Sequence, residues 1–500
     1  MLLQELLDAL GGIHISGNPQ VRISGLSCDS RRVRAGDLFV ALRGQHTDGA
    51  MFIREAVDRG AVALAGEQAG EAGTGIPTLQ VADARQFLSE AARLLFDDPA
   101  AHLQLVAVTG TNGKTTTAFL MDAIFRQAGL RACLVGTLGM RIGERPFPSA
   151  HTTPEAVELT SFLRQALRAK CTHGILEVSS HALALKRVYG MRFAIGVFTN
   201  LTPEHLDFHA DMESYYQAKR LLFSPAGGNG IRASVINIDD ACGRRLAAEA
   251  GGRITRYGRD AAAEIHVLRS STRITGTDLD LATPAGELSI RTRLAGQPNI
   301  YNIMAAAGAA LELGIDPGHI RAGIESLTGV PGRLELVDAG QDFTVIVDFA
   351  HTPDALEKLL ETVRALTPGR RITVFGCGGD RDRTKRPVMG EIAARLSDFV
   401  IATSDNPRTE DPGAILREIE PGLKRGPASY RLQPDRRAAL RCALEAARTG
   451  DVVLVAGKGH ENYQIVGTQV LPFEDRAVVQ ELIHQLRQDQ GDRTRGELHQ

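Results

Sequence analysis

A nine-residue run, Val108-Thr-Gly-Thr-Asn-Gly-Lys-Thr-Thr116, constrains this chain more than any other stretch. The apolar residues 103–108 before it read as a buried strand, and residues 115–127 after it read as a helix. A strand, a Gly-containing turn and a helix together make a phosphate cradle. Backbone N–H groups and the helix N-terminus face the anion, Lys114 reaches the outer phosphates, and the Thr115 hydroxyl can hold Mg²⁺. The usual P-loop begins with Gly five residues before its Gly-Lys pair. Val108 stands there instead, and the spare glycine is Gly110. The departure points away from GTPases and kinases and toward one branch of ATP users. A chance Gly-Lys-Thr turn would lack strand and helix signals on the correct sides.

At 500 residues the chain exceeds one ordinary domain, so about two to four are expected. The 57 basic and 59 acidic residues balance, without a dense basic run, which argues against nucleic acid or an anionic membrane as the main partner. The six cysteines (28, 133, 171, 242, 377, 442) form no CxxC pair and read as reduced thiols of a cytoplasmic protein. No apolar stretch reaches the roughly 18 residues of a membrane span. The start, with Leu2, Leu3, Leu6 and Leu7 before Gly11-Gly12, reads as an amphipathic helix and not as a signal peptide. The polar tail, residues 488–500, is expected to fray.

Breakers at Asp97-Asp98-Pro99 and Val330-Pro-Gly-Arg333 divide the chain into residues 1–100, 101–330 and 331–500. The first segment alternates short strands and helices, with a loop over 66–77. The second follows a β-α-β-α pattern, with strand candidates at 103–109, 132–135, 174–178, 193–199 and 233–237. That pattern predicts an α/β fold with a mainly parallel sheet covered on both faces. Residues 264–294 look like a small antiparallel addition. In the third segment four apolar runs (343–347, 371–375, 399–403, 451–455) each end in a polar cluster. In an open parallel sheet such clusters share one ligand-binding edge. There they would gather Asp380, Arg381, Asp405, Arg408, Lys458 and Glu461.

Glu177-Val-Ser-Ser-His181 ends a strand beside the P-loop, so Glu177 can share Mg²⁺ with Thr115 or simply cap a helix. His205 and His209, four apart, allow half a zinc site. Pro203 precedes them and no third ligand is apparent, which favours a magnesium-side role for His205. Lys219, on an amphipathic helix over 211–223, reads on its own as a solvated lysine.

Taken together these motifs resemble the Mur ligase family, ATP-dependent amide-forming enzymes of peptidoglycan synthesis, in order and spacing over essentially the whole chain. The resemblance implies three α/β domains: a small N-terminal UDP-substrate domain, a central P-loop-type ATP domain and a C-terminal Rossmann-like amino-acid domain. It places ATP on Gly110, Thr111, Asn112, Gly113, Lys114, Thr115, Thr116, Asn299, Asn302 and Asp348. It implies Mg²⁺, two ions in number, at Thr115, Glu177, His205 and Lys219, with Lys219 carbamylated to N6-carboxylysine. The catalytic residues it implies are Lys114, Lys219 and His205.

Ser404-Asp-Asn-Pro-Arg408 resembles the signature of family members that add meso-diaminopimelate; lysine-adding members differ there. Arg408 offers a fork of donors to the extra carboxylate of that amino acid, and Asp405 or Glu461 can pair with its ammonium. By resemblance Asn406, Pro407, Arg381 and Gly457 complete the pocket. Cys28, Ser30, Gln45, His46 and Thr47 fall in the UDP-binding segment, and Thr152, Thr153, Ser179, Leu185 and Arg187 fall where the muramyl peptide is held. Two of these depart from a close relative: Cys28 replaces Leu, and Leu185 replaces a substrate-binding Gln.

The implied reaction phosphorylates the D-Glu γ-carboxylate of UDP-N-acetylmuramoyl-L-alanyl-D-glutamate. The amine of meso-diaminopimelate then attacks the acyl phosphate. A general base is not evident: the amine can arrive neutral, or His181 can assist. Rival readings are a folylpolyglutamate-type ligase, an ATP-hydrolysing regulatory protein and a kinase. The 100-residue N-terminal segment and Asp405-Asn-Pro-Arg408 argue against the first. A monomer acting only on small molecules is expected.

Overall fold

The computed structural model describes residues 1–44, 47–68, 74–206 and 208–497. Three sheets carry the fold. In the first, Gly25–Ser27, Asp37–Val40, Ala63–Gly66 and Thr78–Gln80 run parallel, and His14–Ser16 closes one edge antiparallel. The expected first helix spans Leu3–Leu10 and stops at Gly11. The helix Ala84–Leu95, capped by Asp83, covers the sheet with Phe87, Leu88, Ala91 and Ala92.

The second sheet has eleven strands. Its parallel part runs Ile265–Arg273, Arg253–Gly258, Gly230–Asn237, Arg192–Phe198, Gln104–Thr109, His173–Glu177, Ala132–Gly136. All five strand candidates fall on strands of this run. Val106 and Val108 face a core with helices Lys114–Gln127, Gln297–Glu312 and Pro317–Ser326. Leu105 and Ala107 face the opposite core, shared with helix Ala156–Arg168. Burial on both faces is why these strands read as unbroken apolar runs. The strand Gln104–Thr109 lies between His173–Glu177 and Arg192–Phe198. The P-loop, Glu177 and Thr199-Asn200 therefore leave neighbouring strands at one edge.

Residues 264–294 are antiparallel, as expected, but they do not stand apart. Ile265–Arg273 pairs parallel with Arg253–Gly258, and Gly276–Thr283 and Gly286–Thr292 extend the same sheet. A hairpin, Gly139–Ile142 with Arg145–Phe147, extends the other edge.

The third sheet runs Glu335–Leu336, Thr344–Asp348, Val452–Ala456, Arg371–Phe375, Phe399–Thr403, Ser429–Gln433, parallel except at its first strand. The four apolar runs are its middle strands, so their polar clusters share one edge. A separate hairpin, Tyr463–Val466 with Gln469–Pro472, follows the last cluster. The tail expected to fray is instead taken up, as far as Glu497, by the helix Asp475–Glu497. Among the described residues no helix is long and apolar enough to cross a membrane.

Candidate active site

The helix Lys114–Gln127 starts at Gly113, whose φ of 87° is a left-handed conformation that glycine adopts without steric cost. A Cβ there would also collide with Asn302 Oδ1. Asn302 Nδ2 donates to Asn299 Oδ1 at 3.1 Å, so the two expected nucleotide contacts form one buried pair beside the loop. Lys114 Nζ turns inward and donates to the carbonyls of Gly110 (2.9 Å) and Thr111 (2.8 Å). Burial lowers its pKa, against the charges of Glu204 and Glu177. Thr115 Oγ1 donates to Glu177 Oε2 at 2.9 Å, and Thr137 donates to both carboxylate oxygens of Glu177. Thr115 and Glu177 thus present hard oxygen donors side by side, the chemistry Mg²⁺ selects.

Lys219 is not solvated. It is 1% exposed, donates to Gly110 O at 2.9 Å and lies over the Tyr215 ring at 4.6 Å. Burial, and then repulsion from Lys114, push its pKa well below the usual amine range. The expected helix is Met212–Arg220, capped by Asp211, with a 3₁₀ turn over Leu221–Phe223.

His205, at φ 58°, stacks edge-on to His181 with ring centroids 4.7 Å apart. His209 Nε2 lies 3.0 Å from Ser180 Oγ and His209 packs on Tyr215. Among the described residues no cluster of three or more His, Cys, Asp or Glu is gathered to hold a metal.

Glu204, missed in the sequence, is a half-buried member of this charge cluster. Its carboxyl is held below the usual range, despite burial, by His205, Lys114, His351 and Lys219. His351 belongs to the third sheet's first cluster, so the site spans two lobes. Burial lowers the pKa of His351, while the charges of Glu204 and Asp405 oppose that shift. Asp354 makes the crossing direct: its Oδ2 accepts from Asn112 Nδ2 (3.0 Å) and Thr202 Oγ1 (2.9 Å). Asp348 accepts from the Leu334 and Ala350 amides, and burial raises its pKa against the attraction of Arg333.

In the third-sheet lobe, Asn406 Nδ2 donates to Glu461 Oε2 (2.8 Å), and fully buried Lys458 donates to the same oxygen (2.9 Å). Arg408, at φ 52°, sends Nη1 to Gly379 O at 2.8 Å. Asp405 Oδ2 is buried without a hydrogen-bond partner among the described residues. Gly457, at φ 113°, leaves room for it: a Cβ there would stand 2.7 Å from that oxygen. Arg381 is exposed and donates to Asp380 O. Two fully buried arginines brace the lobe. Arg436 pairs with Asp475 and donates to Ser404 O and Ala456 O, and Arg386 grips Glu410, Glu418 and Gly378 O.

The third group of expected contacts lies where the first and second sheets meet. Thr153 Oγ1 donates to Glu177 O, Ser179 N donates to Thr153 Oγ1, and Ser179 caps the helix Ser180–Ala184. Thr152 Oγ1 is 3.3 Å from Thr137 Oγ1. Arg187 donates to Thr153 O and pairs with Glu155 at 2.6 Å. Burial first, and then the charge of Glu155, push the Cys28 thiol up to about 12. Ser30 Oγ donates to Glu55, and Thr47 O accepts from Gly44 N. Leu185 C-caps the short helix. Gln45 and His46 lie outside the described residues.

Three family patterns match the chain: the Mur ligase family catalytic domain over residues 22–95, the Mur ligase middle domain over 108–310, and the Mur ligase glutamate ligase domain over 332–459. A protein of Geobacter metallireducens named UDP-N-acetylmuramoyl-L-alanyl-D-glutamate–2,6-diaminopimelate ligase is 46% identical, covering 96% of this chain and 98% of that protein. One of the same name from Gloeobacter violaceus is 48% identical, covering 97% and 99%. A solved structure of a ligase of that name superposes with a TM-score of 0.70 at 33% identity, covering 97% and 99%.

Proposed function

The chain belongs to the Mur ligase family, and we propose that it joins meso-diaminopimelate to UDP-N-acetylmuramoyl-L-alanyl-D-glutamate at the expense of ATP. The observation that carries this reading is three chemistries on two sheets that the Asn112–Asp354 and Thr202–Asp354 contacts join. A phosphate cradle and a buried Thr115–Glu177 pair stand on the central sheet, and an acid- and guanidinium-lined loop stands on the third. Residues 1–100, 101–330 and 331–500 act as the UDP-substrate, ATP and amino-acid domains.

Lys114 exchanges its two carbonyl acceptors for phosphate oxygens when ATP enters, and the loop amides with the helix N-terminus offset the remaining charge. Thr115 and Glu177, with His205, would hold Mg²⁺. An ion held there would supply charge neutralisation for the phosphates. Lys219 as an amine does not fit a cation site. Its buried, low-pKa nitrogen is suited to take up CO₂, forming an N–C bond and releasing a proton, which leaves a carboxylate-like ligand for a second Mg²⁺. The γ-carboxylate of the dipeptide attacks the ATP γ-phosphorus, ADP leaves, and an acyl phosphate remains. The amine of meso-diaminopimelate then attacks the acyl carbon and inorganic phosphate departs. Asp405 and Glu461 face its ammonium and Arg408 its distal carboxylate, with Arg381, Asn406, Pro407 and Gly457 shaping the pocket. Cys28, Ser30, Thr47, Thr152, Thr153, Ser179 and Arg187 hold the UDP-dipeptide, and Leu185 supplies an apolar contact in place of a polar one.

The six cysteines are free, as suits a reduced cytoplasmic enzyme acting as a monomer on small molecules. An amino-acid screen with the UDP-dipeptide, ATP and Mg²⁺, read by mass spectrometry, tests the reading. Tripeptide product with meso-diaminopimelate and not with lysine is the expected result, abolished in a folded Lys114→Ala variant. Preferred addition of another amino acid would refute it.

A further inference from the structure

The hairpin Tyr463–Val466/Gln469–Pro472 forms a two-stranded sheet of its own, yet four of its polar contacts go to one loop. Gln464 Nε2 donates to Asp405 O at 2.8 Å, and Ile465 N donates to Asn406 Oδ1 at 2.9 Å. Arg408 N donates to Ile465 O at 3.1 Å, and Gly467 N donates to Arg408 O at 2.7 Å. The last two hold both backbone polar groups of Arg408, a non-glycine residue in the left-handed region. Such a conformation costs about 1–3 kcal/mol and persists only where its surroundings impose it. The hairpin imposes it here, and with it the direction of the guanidinium toward Gly379. Asp405 is treated in the same way: Gln464 fixes its carbonyl while its Oδ2 stays buried and unpaired.

We infer that Gln464 is a positioning residue for amino-acid selection: through the hairpin it sets the backbone of Asp405–Arg408, and so the spacing between the carboxylate and the guanidinium that face the incoming amino acid. The inference rests on the assignment of that loop to meso-diaminopimelate. The Gln464 side chain donates to the Asp405 carbonyl of this loop, so its effect is expected on the amino-acid substrate. Both ends of the pocket move together when it is lost. A substrate carrying a carboxylate and an ammonium at its far end therefore suffers more than one carrying the ammonium alone.

The test is steady-state kinetics on Gln464→Ala and on Gln464→Glu, which keeps the side-chain shape but removes the donor, with Arg408→Ala in parallel. Both Gln464 variants are expected to raise the KM for meso-diaminopimelate about five- to tenfold, the size of one lost hydrogen bond with loosening of the loop. KM values for ATP and the UDP-dipeptide, and kcat at saturating amino acid, stay near wild type. The discrimination against lysine falls by a similar factor. A structural role in folding alone would lower the melting temperature and kcat without changing the substrate ratio, and would overturn the inference. So would an unchanged KM in Gln464→Glu while Arg408→Ala loses meso-diaminopimelate use. If Arg408→Ala itself leaves meso-diaminopimelate use intact, the pocket assignment falls first.

Discussion

Glu410 illustrates how single charges hold this site in shape. Arg386, fully buried, donates to both of its carboxylate oxygens at 2.8 Å, and the Asp380 amide donates to one of them. Arg386 holds the Glu410 carboxyl at about 2, below the ordinary 4.5. A carboxyl depressed in the fold adds stability that is complete above the ordinary range. That stability is lost as pH falls from 4.5 toward 2. Glu410→Gln should therefore be less stable at neutral pH by about 1–3 kcal/mol, because a buried guanidinium loses part of its partner. Denaturant melts across pH should show the two proteins converging near pH 2. Parallel curves would contradict this account. Neither buried arginine was legible in the sequence: Arg386 and Arg436 look like surface residues, and their acidic partners lie 24 to 39 positions away. Lys219 was legible only by resemblance, since nothing local announces that its amine is buried against Gly110.

At the level of elements, the turn at Gly113 brings the helix start close against Asn302 on another helix. Gly113→Ala must place a side chain at φ 87° and against Asn302 Oδ1. The expected cost is about 1–3 kcal/mol in stability, with ATP affinity lowered more than UDP-dipeptide affinity, as calorimetric titration of each would register. Equal affinities for ATP in both proteins would mean that the loop tolerates the change. The central strands were readable because burial on both faces makes them uniformly apolar. Arg253–Gly258, Ser429–Gln433 and the Gly139–Phe147 hairpin escaped because they are short or partly exposed and carry polar residues on their open faces. The hairpin after Glu461 escaped for the same reason, and with it the grip on Arg408. The phosphate cradle and the four clusters of the third sheet were legible because strand ends dictate where loops gather.

Across the whole molecule, the sequence could not reveal which residues join the lobes. Asp354 meets Asn112 from 242 positions away, and no local pattern encodes that. Its contacts with Asn112 and Thr202 favour the approach of the third sheet to the P-loop. Asp354→Ala should shift the population toward a more open arrangement by about 1–2 kcal/mol. Small-angle scattering should report a larger radius of gyration for the free variant, and KM for ATP should rise about fivefold. An unchanged radius would show that other contacts hold the lobes. Where the second and third sheets meet at Asp354, phosphorylation of an acid is proposed to be coupled to its capture by an amine. The most direct measurement counts ADP, phosphate and amide product while each substrate is omitted in turn. The account predicts one ADP and one phosphate for every amide formed, and no sustained ADP formation when either the UDP-dipeptide or meso-diaminopimelate is missing. Steady ADP release without the acid, or amide formed without ADP, would contradict it.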